Sequence, residues 1–381
     1  MRVAFNAQLL SYREGFRAAG ISRYIDRTLA YLEPHLRGTG SAAFVGPDVH
    51  PTVEALAWLA VYRTRFPTQR PIARIIWEQV VLPIEVRRLR ADLIHCPGYA
   101  YPLVDGRKSV VTFHDLSYFV LPEAFERPNR LYLTAFSRLS AARASRFIAV
   151  SEATRRDMVK YLGIGQERID VIYNGVDRRF QPSDYPDRVR SFRESKGLPE
   201  EFILFLGTME PRKNLPHLLR AYALARRRGL TAPLVIAGGV GWGDLRLQAL
   251  IDVLDLRGSV RLAGFVGMDE QVMWYNAATL FAYPSLYEGF GLPVLEAMAC
   301  GTPVVTSNQS SLPEVVGSAG VTVAPDDTQS LAEALFSLMR NEAERAALSA
   351  RGIAQARTFT WERSAREHYA SFQLALGAPA R

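Results

Sequence analysis

The chain alternates short β-branched segments with amphipathic segments of helical period, and it does so in two separate halves. This alternation predicts parallel sheets covered by helices on both faces, because parallel strands need a long crossover that is usually a helix. Six strands are predicted in the first half, at residues 2–6, 42–46, 92–96, 109–114, 146–151 and 168–173. Six more are predicted in the second half, at residues 202–206, 233–237, 260–263, 279–283, 303–306 and 320–323.

A polar segment with two prolines separates the halves, and residues 180–197 are therefore predicted as a linker. The first domain is predicted over residues 1–180 and the second over residues 198–357, and 381 residues suffice for a core in each. The helical tail, about residues 358–381, is expected to pack back on the first domain. Two doubly wound domains in tandem leave a cleft between them, and ligands bind such sheets at the carboxyl ends of the strands.

Composition excludes several classes of protein. The hydrophobic share of 48% and the charged share of 22% are ordinary for a globular chain and exclude wholesale disorder. Cys96 and Cys300 lie far apart, which argues against a disulfide scaffold and a cysteine-based zinc site. No apolar run approaches the roughly 18 residues of a membrane span, and the start lacks a signal-peptide core. We therefore expect a cytoplasmic protein.

The segment from Tyr283 to Val305 is the most informative part of the chain. A predicted strand ends at Tyr283, a loop containing Gly289 and Gly291 follows, and a helix begins near Pro293. Glycines allow a ligand to approach the backbone closely, and a helix N-terminus offers N–H groups with a partial positive charge. Together these features predict a phosphate site.

Two glutamates flank this predicted phosphate site. Glu288 lies in the glycine loop and Glu296 lies about one turn into the helix, so each carboxylate can accept hydrogen bonds from sugar hydroxyls. The spacing alone is weak, because chance gives on the order of one such pair in a chain of this composition. The pattern becomes specific because the two glutamates lie in an ordered series of a strand, a glycine loop, a proline and a helix.

Three further side chains follow predicted strands and are candidates for the same chemistry. Lys213 and Arg212 lie in a loop after a strand of the second half, where a basic pair can neutralise charge on a leaving diphosphate. His114 closes a strand of the first half and so lies at the carboxyl end of its sheet. The alternatives are a surface role for the basic pair and a structural role for the histidine.

The sequence YEGFGLPVLEAMACGTPVV, at residues 287–305, resembles the signature of retaining glycosyltransferases of family 4, which have the two-domain GT-B fold. Other segments are similar to the family's motifs and occur in its order: GISRY at 20–24, FHD at 113–115, VSEA at 150–153, NGVD at 174–177 and GTMEPRKN at 207–214. The resemblance thus covers essentially the whole chain. The run SNQSSLPEVVG, at 307–317, is similar to the branch that contains bacterial mannosyltransferases of surface polysaccharide synthesis.

The resemblance implies a role for each residue that matches the main signature. Glu288 would bond to hydroxyls of the donor sugar, and Glu296 would bond to the ribose of the nucleotide. Backbone N–H groups of Phe290, Gly291 and Leu292 would hold the sugar and the diphosphate. These residues would form the donor side of the site.

The resemblance also implies roles outside the main signature. The nucleotide base would be held largely by backbone groups of Gly264, Phe265 and Val266. His114 would contact the donor sugar near the reacting carbon, and Gly20 would lie near the phosphate and the acceptor. Both of the latter belong to the first predicted domain.

The implied activity is transfer of a sugar from a nucleotide diphosphate donor to an acceptor hydroxyl, with retention at the anomeric carbon. The branch resemblance implies GDP-mannose as donor and a role in surface polysaccharide or glycolipid synthesis. We expect no cofactor and no metal ion, since no Asp-x-Asp motif occurs. The alternatives are a UDP-sugar-dependent enzyme of the same fold, a GT-B relative that isomerises or phosphorolyses sugars, and a non-catalytic protein that binds nucleotide sugars or an anionic surface.

Basic charge is concentrated in the first predicted domain. Residues 1–180 hold 26 Lys and Arg against 17 Asp and Glu, although the whole chain has a net charge of only +8. Residues 57–90 carry seven of these arginines, and the same segment contains Trp58, Phe66 and Trp77. This combination suits an anionic membrane surface, so we expect peripheral association at the inner face of the membrane and a carbohydrate or lipid-linked acceptor. No nucleic acid partner is expected.

The same segment has a second interpretation. Residues 72–89 also show the pattern of an ordinary helix that packs on the first sheet. In that case Ile75, Ile76, Val80 and Leu82 are buried, the arginines form a solvated surface, and the acceptor is soluble.

Overall fold

The computed structural model describes residues 1–12, 20–50, 53–103, 106–241 and 246–377. The chain forms two compact units, of which the first comprises Met1–Gly175 with Thr360–Arg381 and the second comprises Val176–Phe359. Each unit is built on one parallel sheet, as the alternating pattern predicts. None of the helices among these residues has the length and apolarity that a membrane crossing requires.

The first unit contains a seven-stranded parallel sheet with the order β3-β2-β1-β4-β5-β6-β7. Its strands are β1 (Val3–Ala7), β2 (Ala42–Val45), β3 (Ala60–Arg63), β4 (Leu93–Cys96), β5 (Lys108–Phe113), β6 (Arg146–Ala149) and β7 (Ile169–Val171). In register, Ala4 of β1 lies opposite Ala42 of β2 and Ile94 of β4. The strand order reverses between β1 and β4, which is where doubly wound sheets bind ligands.

Helices connect these strands. They are α1 (Gly20–Leu36), α2 (Pro71–Ile76), α3 (Leu82–Leu89), α4 (Ser117–Val120), α5 (Arg127–Arg143) and α6 (Glu152–Leu162). Short 3₁₀ turns occur at Glu54–Leu56, Pro122–Ala124 and Gln166–Arg168. Helix α6 shows why such a segment begins and ends where it does: the Ser151 hydroxyl accepts a hydrogen bond from the Thr154 N–H, and Gly163 ends the helix in the left-handed conformation.

A π-helical turn, Trp77–Val81, joins α2 to α3. Trp77 and Leu82 are buried in the core of the first unit, but Ile76 and Val80 are 50% and 57% exposed. The interpretation that Ile76 and Val80 pack on the sheet is therefore wrong. The reason is the π turn Trp77–Val81, which adds a residue to the helix and so breaks the regular 3.6-residue pattern on which that interpretation rests.

The second unit contains a six-stranded parallel sheet with the order β10-β9-β8-β11-β12-β13. Its strands are β8 (Ile203–Leu206), β9 (Leu234–Ala237), β10 (Val260–Gly264), β11 (Leu280–Tyr283), β12 (Val304–Ser307) and β13 (Val321–Val323). All residues of β8, β9, β11 and β12 are buried, as expected for strands covered on both faces. The order reverses between β8 and β11.

The helices of the second unit are α7 (Pro186–Lys196), α8 (Leu215–Arg227), α9 (Leu247–Val253), α10 (Gln271–Ala277), α11 (Leu292–Ala299), α12 (Leu312–Val316), α13 (Thr328–Arg340) and α14 (Glu342–Ala356), with a 3₁₀ turn at Pro211–Lys213. The prediction that residues 180–197 form a linker is wrong for α7. Pro186 starts this helix, and Gly197 ends it in the left-handed conformation. The Phe192 ring packs edge-on against Trp274, which anchors α7 on α10.

The last helix, α15 (Trp361–Ala375), belongs to the first unit. Its buried face carries His368, whose Nε2 lies 2.7 Å from the Tyr24 hydroxyl of α1. The Ser371 hydroxyl donates to Asp170 over 2.7 Å, and Phe372 packs against Phe5 of β1. The C-terminal helix is thus bonded to α1 and β7 as well as packed on the sheet.

Candidate active site

Two loops of the second unit follow the strands between which the strand order reverses. The loop after β8 leads to the 3₁₀ turn Pro211–Lys213, and the loop after β11 leads to α11. The Leu286 N–H of the second loop donates to the Arg212 carbonyl of the first over 2.8 Å. The fold therefore brings two distant stretches of sequence together at the edge where doubly wound sheets bind ligands.

A compact network of charges joins the two loops. Lys213 Nζ donates over 2.6 Å both to Glu288 Oε1 and to the Tyr283 hydroxyl. Arg212 Nη1 donates to Glu288 Oε2, also over 2.6 Å, and Arg212 Nε pairs with Glu210 Oε1 at 2.6 Å. Lys213, Glu288, Tyr283 and Glu210 are buried, so this network holds two cationic and two anionic side chains with little access to water.

The network controls the ionisation of its members. Burial alone would raise the pKa of Glu288, but the charges of Arg212 and Lys213 outweigh it and lower that pKa to about 2. Burial and the nearby Arg212 charge lower the pKa of Lys213, although Glu288 and Glu210 oppose this effect. Glu288 is therefore an ionised carboxylate at neutral pH, with a cation on each oxygen.

The loop that carries Glu288 is fixed by a glycine and two serines. Gly291 has a φ of +103°, and a Cβ atom there would lie 2.8 Å from Leu312 Cδ2. The Ser311 hydroxyl lies 2.9 Å from the carbonyl oxygens of both Glu288 and Phe290, and the Glu288 N–H donates to Ser310 Oγ over 2.8 Å.

Helix α11 begins directly after this loop, at Leu292, and the following residue is Pro293. Proline at the start of a helix loses no intrahelical hydrogen bond. Pro293 has no N–H and the Val294 N–H donates to the Gly291 carbonyl over 3.0 Å, so the N–H groups of Gly291 and Leu292 are those that cannot bond within the helix. These N–H groups point out of the start of the helix, where a phosphate can accept hydrogen bonds from them.

The remaining predicted donor residues of the second unit lie on α11 and after β10. Glu296 is buried within α11 and accepts a hydrogen bond from the Tyr275 hydroxyl over 3.1 Å. Gly264 ends β10 with a φ of +77°. The Phe265 ring is 51% exposed, whereas Val266 is buried. An exposed ring beside a glycine turn can stack on a flat ligand.

His114 and Gly20 belong to the first unit. His114 follows β5, and its Nε2 lies 2.8 Å from the Pro97 carbonyl oxygen. Because a carbonyl only accepts, Nε2 carries the hydrogen and Nδ1 is the acceptor of the ring. Burial lowers the pKa of His114, so the ring is neutral at pH 7. Gly20 starts α1, and beyond its chain neighbours and its own helix no atom of the described residues would lie within 4 Å of a Cβ there.

The structure thus brings Arg212, Lys213 and Glu288 into one network, with Glu296 on the helix that follows. Sequence reasoning missed two members, Tyr283 and Glu210. Glu210 is separated from the basic pair by Pro211 alone, and an acidic residue so close to two cations was a usable signal. Tyr283 offered only its place at the end of a strand. The described residues include no group of three or more His, Cys, Asp or Glu side chains that could hold a metal ion.

Both halves of the chain match known family profiles. Residues 188–355 match the family profile described as glycosyl transferases group 1, and residues 19–180 match that of glycosyltransferase family 4. The chain belongs to the glycosyltransferase family that these two profiles describe. The glycosyltransferase is 34% identical over 290 residues to the O-antigen chain mannosyltransferase B of Escherichia coli, in a match that covers 76% of each chain.

A second relative of this glycosyltransferase is the serotype-specific mannosyltransferase WbdA of Escherichia coli, 34% identical over 265 residues. That match covers 68% of this chain and 32% of the longer relative. Among solved structures, Anabaena Alr3699/HepE in complex with UDP and glucose superposes with a TM-score of 0.73 at 22% identity, covering 97% of this chain and 98% of the other. The predictions of the family and of the GT-B fold are confirmed.

Proposed function

We propose that this glycosyltransferase moves a mannosyl group from GDP-mannose to an acceptor hydroxyl in the synthesis of a surface polysaccharide or glycolipid, with retention at the anomeric carbon and without a metal ion or other cofactor. The observation that carries the proposal is the buried network of Lys213, Arg212 and Glu288 at the edge where the strand order reverses. Mannose is chosen because the Escherichia coli relatives at 34% identity are mannosyltransferases.

The diphosphate is proposed to bind between the basic pair and the start of α11. Lys213 and Arg212 already hold an anionic group, the Glu288 carboxylate, so the cations are placed to bind the ligand's anionic oxygens. The N–H groups at Leu292 add the positive end of a helix. When the bond to the sugar breaks, negative charge grows on the leaving phosphate, and these fixed groups stabilise it.

The sugar and the nucleoside are proposed to bind on either side of the diphosphate. The Glu288 carboxylate accepts hydrogen bonds from hydroxyls of the donor sugar, and Glu296 accepts from the ribose. The base stacks on the exposed ring of Phe265, beside the backbone of Gly264 and Val266.

His114 offers Nδ1 as an acceptor for a sugar hydroxyl, because its Nε2–H is held by a backbone carbonyl. Gly20, at the start of α1, is proposed to lie near the phosphate. These two assignments rest on the motif resemblance rather than on contacts within the second unit.

The reaction is proposed to occur on one face of the sugar. The acceptor oxygen bonds to the anomeric carbon as the carbon–phosphate oxygen bond breaks, and the leaving phosphate takes the acceptor's proton. Glu288 is unsuited to form a covalent intermediate, because both of its oxygens are paired with cations. Such pairing lowers the basicity of the carboxylate and makes it a weak nucleophile. Retention then follows from the single-face geometry.

Thermal-shift screening with GDP-mannose, UDP-glucose and ADP-glucose tests the donor, and NMR of the product tests retention. We expect GDP-mannose to raise the Tm and to be hydrolysed slowly without acceptor. Glu288→Ala should abolish this turnover, whereas Glu270→Ala, which removes a half-exposed glutamate of the same unit, should not. Stabilisation by a UDP-sugar and not by GDP-mannose would contradict GDP-mannose as the donor. The proposal of a glycosyltransferase activity would then stand with a UDP-sugar as its donor. Tight binding without turnover with any acceptor would indicate a binding protein.

We also propose peripheral association of the first unit with an anionic membrane surface. Ile72, Ile76, Val80 and Ile84 are all exposed and recur every four residues, so they form one apolar line along α2, the π turn and α3. Arginines at the end of α3 provide positive charge beside this line. An exposed apolar line with basic neighbours is typical of helices that lie in a membrane interface.

A further inference from the structure

Glu210 belongs to the buried network of the second unit, but the proposed reaction gives it no ligand to bind. Glu288 is assigned to the donor sugar, and the two cations are assigned to the diphosphate. Glu210 is only 2% exposed, and its Oε1 lies 2.6 Å from Arg212 Nε and 3.8 Å from Lys213 Nζ. A carboxylate so close to both cations must affect the binding of any anion that they hold.

The charges of this network cancel. Arg212 and Lys213 are positive, Glu210 and Glu288 are negative, and each cation is already paired with a carboxylate. A diphosphate carries several negative charges, so it meets a cluster without a net positive charge. In the proposed reaction Glu288 bonds to hydroxyls of the donor sugar. Glu210 is then the member of the network that acts solely as a counter-ion.

The backbone of Glu210 is held from two sides. Its carbonyl accepts a hydrogen bond from the Lys213 N–H over 3.0 Å, which closes a 3₁₀ turn. On the other side, the Gly241 N–H donates to the Met209 carbonyl over 2.9 Å. A Cβ atom at Gly241 would lie 2.9 Å from that carbonyl oxygen and 3.4 Å from Glu210 Cβ, so the loop after β9 packs closely on this segment. The carboxylate is therefore kept beside Arg212.

Glu210 has two opposite effects on a diphosphate at this place. It pairs with the Nε side of the Arg212 guanidinium, while Nη1 of the same group faces Glu288, so the pairing fixes the orientation of the arginine. The negative charge of Glu210, however, repels the anionic oxygens of the ligand. Salt screens this repulsion poorly, because the network is buried.

We propose that Glu210 is a positioning residue that orients Arg212 and also weakens the binding of the diphosphate, so that the nucleoside diphosphate leaves after the transfer. The inference rests on the proposed function, because it assumes that the network binds the diphosphate of the donor. Product release limits the rate of many enzymes. Binding energy that is equal in the substrate complex and the transition state does not speed the chemical step. A fixed carboxylate that lowers both affinities therefore speeds release with little loss in catalysis.

The experiment measures the Kd of GDP and of UDP by titration calorimetry for the wild type, Glu210→Gln and Glu210→Ser. Both variants remove the carboxylate charge, and glutamine keeps an oxygen that can accept from Arg212 Nε. We expect each variant to bind the nucleotide that the wild type selects about tenfold or more tightly than the wild type does. The measurement is made at about pH 6.5, because the Glu210 charge opposes the lowering of the Lys213 pKa by burial and by Arg212. Each variant's unfolding transition checks its folding, and one folded neutral variant suffices.

Two control variants and a second ligand separate this effect from a structural one. Glu210→Asp keeps the charge and should bind GDP no more tightly than the wild type. Glu270→Gln removes a glutamate charge that pairs with Lys196 near the surface of the same unit, and it should leave the Kd unchanged. Guanosine has no phosphate, so its affinity should be the same in every variant. If Glu210 only stabilised the loop, its loss would release Arg212 and weaken GDP binding, which is the opposite sign.

Steady-state kinetics give a further measurement. In Glu210→Gln the KM for GDP-mannose and the inhibition constant of GDP should both fall, and kcat should not rise, because the added binding is shared by the substrate complex and the transition state.

The outcomes distinguish this inference from the proposed function. Equal or weaker nucleotide binding in a folded neutral variant overturns the role of Glu210 and leaves the donor proposal standing if the wild type binds GDP. Tighter binding of guanosine as well as GDP also overturns it, because the effect would then not act on the diphosphate. If the wild type binds pyrophosphate but no nucleoside diphosphate, the transferase proposal fails. A gain of about tenfold for pyrophosphate in Glu210→Gln would then still support the effect of Glu210 on the diphosphate.

Discussion

Lys213 and Glu288 are 75 residues apart in sequence, and their side chains meet in a buried ion pair of 2.6 Å. Removing charges from water is costly, and pairing offsets this cost only when the geometry is good and further hydrogen bonds are made. Here Arg212 binds the second carboxylate oxygen, and the Tyr283 hydroxyl accepts from Lys213. Such a cluster is weak evidence for stabilisation, and it fits the proposal that the two cations bind an anionic diphosphate.

Lys213→Ala should lower kcat by about 100-fold or more, because it removes a fixed positive charge that stabilises the leaving diphosphate. The measurement is GDP release from GDP-mannose in the presence of acceptor. Lys196→Ala is the control, since Lys196 lies in the same unit and pairs with Glu270 near the surface. EDTA should change the rate little. A large loss with EDTA that Mn²⁺ restores would contradict the metal-independent mechanism.

Glu288→Ala should lower the free energy of unfolding by about 3–5 kcal/mol, because it leaves Lys213 and Arg212 buried without their shared counter-ion. Adding Lys213→Ala to Glu288→Ala should cost less than the sum of the two single effects, since the double variant no longer contains the unpaired lysine. Urea unfolding of the wild type, both single variants and the double variant measures this coupling. Additive effects would show that the pair does not interact as the structure indicates.

Acid should destabilise the first unit through His368 on α15. Burial lowers the pKa of His368 to about 4, so the unfolded chain binds a proton first as the pH falls. The His368 contribution is therefore fully present above about pH 6.5 and is lost as the pH falls toward 4, at about 1.4 kcal/mol for each pH unit. Urea unfolding between pH 4 and 8 measures the slope. His368→Gln should flatten it, whereas His50→Gln at an exposed position should not.

The sequence was sufficient to locate most strands, because strands buried on both faces are continuous apolar runs. Ile203–Leu206 and Leu234–Ala237 are examples. The strand Ala60–Arg63 was not predicted, since it lies at the sheet edge and is mostly exposed, so no apolar run marks it. Helix α7 was missed for a related reason: it has no fully buried residue, and only its proline and glycine ends indicate a helix.

The site could be predicted where its residues follow strands. Lys213 and Glu288 were found because the carboxyl ends of parallel strands share one edge. The burial of Glu78 could not be predicted in this way, because a glutamate in an amphipathic helix is ordinarily a solvated residue. Its burial depends on the π turn and on packing against β1 and α5, which are properties of the folded unit rather than of the local sequence.

Gly291→Ala should destabilise the second unit and reduce donor binding. The residue has a φ of +103°, and the added Cβ would lie 2.8 Å from Leu312 Cδ2, so the loop must shift away from the start of α11. Strain at such a position costs on the order of 1–3 kcal/mol. Gly20→Ala is the contrast, because a Cβ there would meet no other described part of the chain within 4 Å beyond its own helix and its chain neighbours. It should leave the Tm unchanged, and any loss of GDP-mannose binding would then report a ligand contact rather than misfolding.

The first unit should bind anionic vesicles through the exposed apolar line and the basic end of α3. Ile72, Ile76, Val80 and Ile84 are 74%, 50%, 57% and 46% exposed. Each basic residue near an anionic leaflet contributes about 1 kcal/mol. Replacing Arg87, Arg88 and Arg90 by serine should therefore weaken binding by roughly 100-fold at low salt. The measurement is co-sedimentation with vesicles of anionic or neutral lipid over a range of salt concentrations.

Two further variants separate the charge from the apolar line. Ile76→Ser with Val80→Ser should weaken vesicle binding at every salt concentration, because insertion of apolar side chains is not screened by salt. Serine at Arg190, Arg227 and Arg257, three exposed positions of the second unit, is the matched control and should leave binding unchanged. Equal recovery of the wild type in the supernatant with neutral and anionic vesicles at low salt would contradict the membrane proposal. The arginines of the first unit would then form a solvated surface, and the acceptor would be a soluble carbohydrate.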